Sequence, residues 1–283
     1  MRAKQILFAV TSAWTVLSAG ALVYLALQPR PPETNEVRGP LPVPELGALL
    51  YRYFPSPLSQ HHEEVFIRDY FEDRKGGFLL DVGASHYKTR STTHYMDVAL
   101  GWHGIAVDAL GEFAADYAKH RPRTKFFPVF VSDKSDQDVD FYVIASNSRL
   151  STADRATAQR TGSKNKVVPM KTVTLDALLD SQGVKEIDLL SMDIEMWEPK
   201  ALAGFDIDRF KPELVVIESH PPVRAQIFDY FAKHGYAEIE QYSKWDGRNA
   251  YFVPKDDLPK FLARKAAEIV AAAPSASTAA VAR

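Results

Sequence analysis

Acidic residues stand at or beside the ends of four apolar segments that have the composition of buried strands. They are Asp81, Asp108, Asp193 and Glu218. In an open parallel sheet, ligands bind outside the carboxyl ends of the strands, where the strand order changes. We therefore expect four carboxylates along one edge of a sheet, in a position to contact a ligand. A single acid at such a place serves equally well as the N-cap of the next helix.

Asp193 and Glu195 are the first candidates for acid–base chemistry, and His220 is the third. Two positions apart on an extended segment, the two carboxylates point to the same side and can share a proton, a substrate hydroxyl or a divalent ion. His220 follows Glu218 at the same expected edge. An imidazole with an ordinary pKa of about 6.5 can remove a proton from a hydroxyl group as a general base.

Two other interpretations of these residues stay open. Asp193 can cap a helix whose first turn contains Glu198 and Pro199. Alternatively, the oxygen and nitrogen atoms of Asp193, Glu195, Glu198 and His220 can hold a metal ion, although their spacing matches no metal-binding motif. We therefore name no metal ligand from the sequence. His220 precedes two prolines, so it can also be an ordinary loop residue.

A tight turn at Gly83 is the strongest local signal. Glycine permits a positive φ angle and lets a ligand approach the backbone closely at the start of the next helix. About one helix later, the segment that ends in Asp108 supplies an acid that can accept both hydroxyl hydrogens of a ribose. This pairing predicts a cofactor that contains a nucleoside. An NAD(P)-dependent oxidoreductase is disfavoured because the chain has no G-x-G-x-x-G motif.

These residues need a sheet that brings the segment ends together, and the sequence between about 60 and 255 predicts one. Short apolar segments alternate there with helical patterns, which is typical of a parallel sheet with helices on both faces. The predicted strands are residues 77–83, 104–108, 125–131, 139–144, 187–193, 214–218 and 249–253. We predict an α/β fold with a mostly parallel, doubly wound sheet of the Rossmann-like type.

Several sequence blocks follow one another in a fixed order. They are Ser59-Gln60, Asp69-Tyr70-Phe71, Asp81-Val82-Gly83-Ala84, the helix from Ser91 to Leu100, Gly101-Trp102, Val173 to Leu179, Ile187 to Glu195, Leu202, Gly204, and Pro212 to Glu218. In these blocks the chain resembles the FkbM family of S-adenosylmethionine-dependent methyltransferases. The resemblance covers about residues 59–253. It implies a Rossmann-like methyltransferase fold with S-adenosylmethionine as the cofactor.

The same resemblance implies roles for the cofactor-binding residues. Asp81 and Gly83 would border the methionine moiety, with Ala84 in the same turn, and Asp108 would bind the ribose diol. Ser132-Asp133, after the third strand, would lie beside the adenine. We therefore expect a cofactor site along the ends of the first three strands.

Asp193 and Glu195 would face the transferred methyl group and the acceptor, again by resemblance. Methyl transfer needs positioning and, for a hydroxyl acceptor, a base. The chain departs from the family pattern at two places. Tyr87 stands where the family usually has a second glycine, and Met196 stands where a small residue such as glycine is typical. We expect a bulkier turn and a re-shaped acceptor pocket.

Residues 6–27 form 22 consecutive uncharged positions. A helix of that length spans about 33 Å, enough to cross a hydrocarbon core of ~30 Å. We predict a single-pass membrane anchor at 1–28, a proline-rich stalk at 29–58, the methyltransferase domain at 59–262 and an alanine-rich tail at 263–283. A cleaved signal peptide or a buried helix stays open as an alternative. The flanking charges differ too little to fix the side of the membrane.

The overall charge is nearly balanced, with 34 basic and 36 acidic residues, so we expect no nucleic-acid partner. The absence of cysteine excludes disulfides, cysteine-ligated metals and thiol nucleophiles. Residues 145–166 are locally basic. They form either a lid over an anionic or glycosylated acceptor or a solvated helix and loop with Ser151 as the N-cap.

The predicted function is therefore transfer of a methyl group from S-adenosylmethionine to a hydroxyl of a saccharide, a lipid-linked compound or another small molecule. A glycan or small-molecule acceptor and the membrane are the expected partners. One alternative is a methyltransferase-like binding module without turnover, because the residues after Gly83 depart from the family pattern. Fold analogy cannot separate the two functions.

Overall fold

The structure is a computed structural model, and it describes residues 49–50, 52–53, 58–145, 151–160 and 165–272. The predicted anchor at 1–28 lies outside the described residues, as does most of the predicted stalk. Within the described ranges, no helix is both long enough and apolar enough to cross a membrane.

Strands and helices alternate along most of the described chain. The strands are β1 (Phe78–Val82), β2 (His103–Asp108), β3 (Thr124–Pro128), β4 (Phe130–Val131), β5 (Asp138–Ile144), β6 (Asn165–Val173), β7 (Leu189–Met192), β8 (Leu214–Glu218), β9 (Tyr236–Glu238) and β10 (Asn249–Pro254). The helices are α1 (Glu63–Phe71), α2 (His94–Val98), α3 (Ala114–His120), α4 (Arg155–Arg160), α5 (Leu175–Ser181), α6 (Glu198–Leu202), α7 (Ile207–Phe210), α8 (Pro221–Lys233), α9 (Glu240–Asp246) and α10 (Leu258–Ala272).

Seven strands form the central sheet in the order β3-β2-β1-β7-β8-β10-β9. Neighbours from β3 to β8 pair in parallel, whereas β10 is antiparallel to both β8 and β9. The chain moves outward from β1 to β3 and later returns to place β7 on the other side of β1. Loops after neighbouring strands diverge at such a change in strand order and leave a crevice. The predicted α/β class with a mostly parallel sheet is confirmed.

Helices cover both faces of this sheet. Consecutive residues of β1 point to opposite sides because strand side chains alternate. Leu79 packs in one apolar cluster with Phe66 of α1, and Leu80 packs in another with Phe231 of α8. All four side chains are fully buried. This explains why the central strands are apolar along their whole length and could be recognised from the sequence.

A smaller sheet of three strands has the order β4-β6-β5. The sequence predicts one strand over 125–131, but the structure divides it between the two sheets. β3 ends at Pro128, which lacks a backbone N–H, and Phe130–Val131 then pairs with β6. β6 itself was not predicted, because most of its side chains are exposed or half-exposed and it contains Pro169.

The helix α10 continues to Ala272, through residues that the sequence assigns to the tail after 262. Lys265 is fully buried there, and its ammonium lies 2.8 Å from the Asp69 carboxylate of α1. Residues 263–272 therefore belong to the folded domain. Residues 273–283, the rest of the predicted tail, lie outside the described residues.

Candidate functional site

A pocket of about 460 Å³ opens at the carboxyl ends of the parallel strands, beside the change in strand order between β1 and β7. Ligand pockets for small molecules usually enclose about 300–1,000 Å³. Seven of the predicted site residues line it: Asp81, Gly83, Ala84, Asp108, Asp193, Glu195 and His220. Ser132 and Asp133 are not in its lining.

Gly83 directly follows β1 and lies against Asp193, the residue that directly follows β7. Its φ angle is 85°, and a β-carbon added there would lie 1.8 Å from the carbonyl oxygen of Asp193. The Gly83 N–H donates to the Val107 carbonyl at 2.8 Å, and the Asp193 N–H donates to the Val82 carbonyl at 2.9 Å. Only glycine combines the left-handed conformation with this close approach. The glycine therefore brings the β1 turn against the loop that carries Asp193 and Glu195.

Asp108 is held in place by two backbone donors. Its Oδ2 accepts from the Ser85 N–H at 2.9 Å, and its Oδ1 accepts from the Leu110 N–H at 2.8 Å. Burial raises the pKa of this carboxyl group to about 6, against the effect of those two hydrogen bonds. A carboxylate oxygen has more than one lone pair, so each can still accept a hydroxyl hydrogen. Asp108 is thus a fixed acceptor at the wall of the pocket.

Asp81 lies deeper and connects the pocket to a buried polar network. The Thr93 hydroxyl donates to Asp81 Oδ2 at 2.5 Å, and Arg121 donates to the same hydroxyl oxygen at 3.0 Å. Arg121 is itself fully buried and pairs with Asp97 at 2.9 Å. Burial raises the pKa of Asp81, and the positive charge of Arg121 opposes that shift. The network fixes α2 behind the β1 turn.

The bulky residues after Gly83 do not enter the pocket. The Nδ1 atom of His86 accepts from the backbone N–H groups of Lys88 at 3.1 Å and Thr89 at 3.0 Å. The Tyr87 ring stacks on His120, with ring centroids 4.6 Å apart. Neither His86 nor Tyr87 lines the pocket. The turn is therefore bulkier than the family pattern, but its bulk lies outside the cavity.

A group of ionisable side chains occupies the ends of β7 and β8. Asp193, Glu195, Glu218 and His220 line the pocket. The Nε2 atom of His220 lies 2.9 Å from Glu218 Oε1, and carboxylate oxygens of Asp193 and Glu218 lie within 4.8 Å of each other. Glu198 lies behind them, almost completely buried, with its Oε1 accepting from the Ile194 N–H at 3.0 Å.

Crowding and burial shift the acidities of this group. Burial, reinforced by the charge of Asp193, raises the pKa of Glu195 to about 7, and burial raises the pKa of Glu198 to about 8. The pKa of Glu218 is raised by burial and by the adjacent carboxylates. His220 shifts the other way, because burial and the positive charge of Arg248 lower its pKa. At neutral pH the group therefore holds protons on carboxyl groups and keeps the imidazole neutral.

The loop after β7 is conformationally strained. Glu195 and Met196 have φ angles of 54° and 78°. For residues other than glycine this left-handed conformation costs about 1–2 kcal/mol each. The Thr152 hydroxyl donates to the Glu195 carbonyl at 2.9 Å and holds the loop in this shape. Met196 thus adopts a conformation that suits the glycine typical of the family at this position.

Part of the basic segment 145–166 forms a wall of the pocket. Ser151 lines the cavity. It is not the N-cap of a helix, which was one of the two alternatives for this segment. Its hydroxyl accepts from the Ile144 N–H at 3.1 Å, and α4 begins only at Arg155. Thr152 pairs with Tyr142 of β5 through two backbone hydrogen bonds. The described part of the segment is therefore packed against the loop of Glu195.

Ser132 and Asp133 lie beyond the pocket. The Ser132 N–H donates to the Val173 carbonyl at 2.9 Å, which turns the chain toward the smaller sheet. The Asp133 carboxylate lies 3.5 Å from Lys200 of α6. The wall at this edge is formed by the preceding residues 129–131. The division of the predicted third strand at Pro128 accounts for this displacement.

Several lining residues were missed by sequence reasoning. Four of them have long polar or charged side chains, namely Gln60, Glu63, Arg90 and Arg248. They come from the segment before α1, the first turn of α1, the loop before α2 and the loop before β10. Asn249 connects two of these segments by donating to Glu63 Oε1 at 3.2 Å. Only the block at Ser59-Gln60 gave a sequence signal. Arg248 lies in a loop with no motif of its own.

Comparisons with known proteins identify a family for this chain. The model of the methyltransferase FkbM domain matches residues 81–238. Among curated proteins, no sequence matches the chain significantly. The crystal structure of a candidate RNA methyltransferase from Pyrococcus horikoshii aligns with 13% identity over 71% of this chain and 90% of that chain, at a TM-score of 0.35.

Proposed function

The chain belongs to the methyltransferase FkbM family, whose domain model matches residues 81–238, and we propose that it methylates a hydroxyl group with S-adenosylmethionine. The observation that carries the proposal is the arrangement of one pocket. Gly83 and Asp108 line one part of it, and Glu195 and His220 line another. A cofactor and an acceptor could therefore meet inside a single cavity.

The cofactor would occupy the part beside β1 and β2. The Asp108 carboxylate would accept the hydroxyl hydrogens of the ribose, because two backbone N–H groups already fix its orientation. Leu110, Phe113 and Val129 line the same region and would contact the adenine with apolar surface. The methionine moiety would lie across the Gly83 turn, where the backbone permits close approach. The carboxylates of the pocket would favour the positive charge of the sulfonium.

Glu195 would serve as the general base. Its side chain lines the pocket, and its carboxylate accepts no hydrogen bond from any residue that the structure describes. His220 is less available, since its Nε2 atom is already engaged by Glu218. Glu195 would accept the proton of the acceptor hydroxyl as its oxygen takes up the methyl group. Bound S-adenosylmethionine would supply that methyl group, and the electron pair of the broken carbon–sulfur bond would stay on the sulfur of S-adenosylhomocysteine.

The acceptor would be a polar compound with several hydroxyl groups. The lining of the same pocket includes Gln60, Glu63, Arg90 and Arg248, which offer both donors and acceptors. Such a lining suits a saccharide, free or linked to a lipid, better than an aromatic or aliphatic small molecule. Asp193 would orient the acceptor beside the methyl group, since it opens onto the pocket next to Glu195.

Cofactor binding tests the first part of the proposal. Calorimetric titration should show that the full chain binds S-adenosylhomocysteine and does not bind NAD. Asp108→Ala should weaken S-adenosylhomocysteine binding by about 1.5–3 kcal/mol, the range for charge-assisted hydrogen bonds. Asp116→Ala is the matched control, because Asp116 is exposed on α3 and does not line the pocket. Equal affinities in the two variants would remove the ribose role from Asp108.

Turnover tests the second part. Cell extracts fractionated for glycans and lipid-linked glycans would be screened for methyl incorporation from labelled S-adenosylmethionine. Methylated products that resist mild base would identify an ether formed on a hydroxyl group, whereas methyl esters would be hydrolysed. A protein that binds the cofactor tightly and methylates none of these fractions would support the non-catalytic binding module instead.

A further inference from the structure

Two sets of three ligating atoms converge at the ends of β7 and β8. One atom each from Asp193, Glu198 and Glu218 lie within 4.8 Å of one another, and so do atoms of Glu195, Glu218 and His220. Oxygen ligands bind Mg²⁺ and Ca²⁺ at about 2.0–2.6 Å, so atoms around one ion stand roughly 3–5 Å apart. The first set therefore already has the spacing of a coordination site.

The hydrogen bonding of these carboxylates is incomplete. Glu198 is 1% exposed and Glu218 is 8% exposed. Each uses its Oε1 atom within the protein, Glu198 for the Ile194 N–H and Glu218 for His220. Their Oε2 atoms have no hydrogen-bond partner among the described residues. A buried carboxylate oxygen without a partner is unfavourable unless a ligand satisfies it.

We propose that Asp193, Glu198 and Glu218 bind a divalent cation of the Mg²⁺ or Mn²⁺ class. Three carboxylates are hard ligands that suit these ions, and the chain has no cysteine that would favour a softer metal. His220 would act behind the site, because its hydrogen bond to Glu218 Oε1 orients that carboxylate and leaves Oε2 for the ion.

The ion would lie at the acceptor end of the pocket, since Asp193 and Glu218 are both in the lining. Its role there rests on the proposed function. By coordinating the acceptor hydroxyl, the cation would hold it in place and favour loss of its proton to Glu195. A neighbouring hydroxyl of a saccharide could complete the coordination. The cation itself undergoes no change in the reaction.

Mn²⁺ binding to the full chain tests the site directly. The protein would be treated with EDTA, exchanged into metal-free buffer and titrated with Mn²⁺, with free Mn²⁺ followed by electron paramagnetic resonance. We expect one saturable ion per chain, competed by Mg²⁺. Glu218→Gln and Glu198→Gln should each weaken Mn²⁺ binding at least tenfold. Glu213→Gln is the matched control, because Glu213 precedes the other end of β8 and pairs with Arg74.

S-adenosylhomocysteine binding, measured on the same samples, separates this inference from the proposed function and shows that each variant is folded. A chain that binds S-adenosylhomocysteine but no Mn²⁺ would overturn the cation site and leave the methyltransferase proposal standing. Mn²⁺ affinity that is equal in wild type, Glu218→Gln and Glu198→Gln would also overturn it. A wild-type chain that binds one Mn²⁺ ion but no S-adenosylhomocysteine would support the cation site and refute the proposed function.

Discussion

Replacing Glu198 by glutamine should stabilise the protein at alkaline pH. The pKa of Glu198 is about 8 in the folded chain, against an ordinary value of 4.5. Between these two values the folded chain retains a proton that the unfolded chain has lost. The free energy of unfolding therefore falls as the pH rises from 4.5 toward 8, and it falls no further above the folded pKa.

The size of the effect follows from the two pKa values. Each unit of difference corresponds to about 1.4 kcal/mol. Relative to a pH well below 4.5, where folded and unfolded chains both carry the proton, the unfolding free energy is therefore lower by about 1 kcal/mol at pH 5 and by about 4 kcal/mol at pH 8. In Glu198→Gln the amide oxygen can still accept from the Ile194 N–H, and the amide group can donate to the neighbouring carboxylates. The unfolding free energy of the variant minus that of wild type should therefore increase by about 3 kcal/mol from pH 5 to pH 8.

Urea unfolding at pH 5, 6, 7 and 8, in buffer containing EDTA, measures this difference without any contribution from a cation. Glu186→Gln is the control, because Glu186 is exposed in the loop before β7 and its replacement should leave the pH dependence unchanged. A constant difference in unfolding free energy between Glu198→Gln and wild type across this range would refute the reasoning. It would mean that the ionised Glu198 is as well solvated as it is in the unfolded chain.

Three further predictions concern the pocket and the ends of the chain. The rate constant kcat should rise as the pH increases through about 7, where Glu195 ionises. Glu195→Gln should abolish this dependence and lower kcat by a factor of about 10²–10⁴. A pH profile that is unchanged in this variant would assign the general base to His220 instead. Gly83→Ala should lower the unfolding free energy by about 1–3 kcal/mol more than Gly183→Ala does. Both glycines have a positive φ angle, but only Gly83 lies against a neighbouring backbone. Equal losses would mean that the backbone at Asp193 can move away from the added methyl group at no cost. Residues 6–27 should remain on the mature protein and keep it in the membrane fraction after a carbonate wash, and an N-terminal sequence beginning at Leu22 would contradict the anchor.

The parts of the fold that could be predicted are those whose residues are determined locally. β1, β7 and β8 are apolar on both faces, because helices cover both faces of the sheet. The acids at or beside their carboxyl ends mark the edge where the pocket opens. The turn at Gly83 was recognisable because one residue meets two local demands, a positive φ angle and the absence of a side chain.

The parts that could not be predicted depend on distant contacts. The Ala-rich composition around Lys265 is typical of a frayed end, and only the pairing with Asp69, far away in the sequence, buries that lysine. β6 is mostly exposed, so its pairing with β5 is not apparent from an apolar pattern. Arg248 reaches the pocket through the antiparallel return of β10 beside β8, and no local motif signals it.

The unfavourable features of the structure are concentrated at the pocket. Of the buried side-chain atoms without a hydrogen-bond partner in the described residues, those of Ser85, Trp197, Glu198 and Glu218 belong to residues that line the pocket or lie directly behind it. Left-handed backbone at Glu195 and carboxyl groups with raised pKa values occur in the same place. A fold selected for stability alone would have replaced these residues by apolar or amide side chains. The apolar packing of the sheet can offset a local cost of several kcal/mol, and the presence of these acids is explained by the cation and the acceptor hydroxyl that they would bind at this edge.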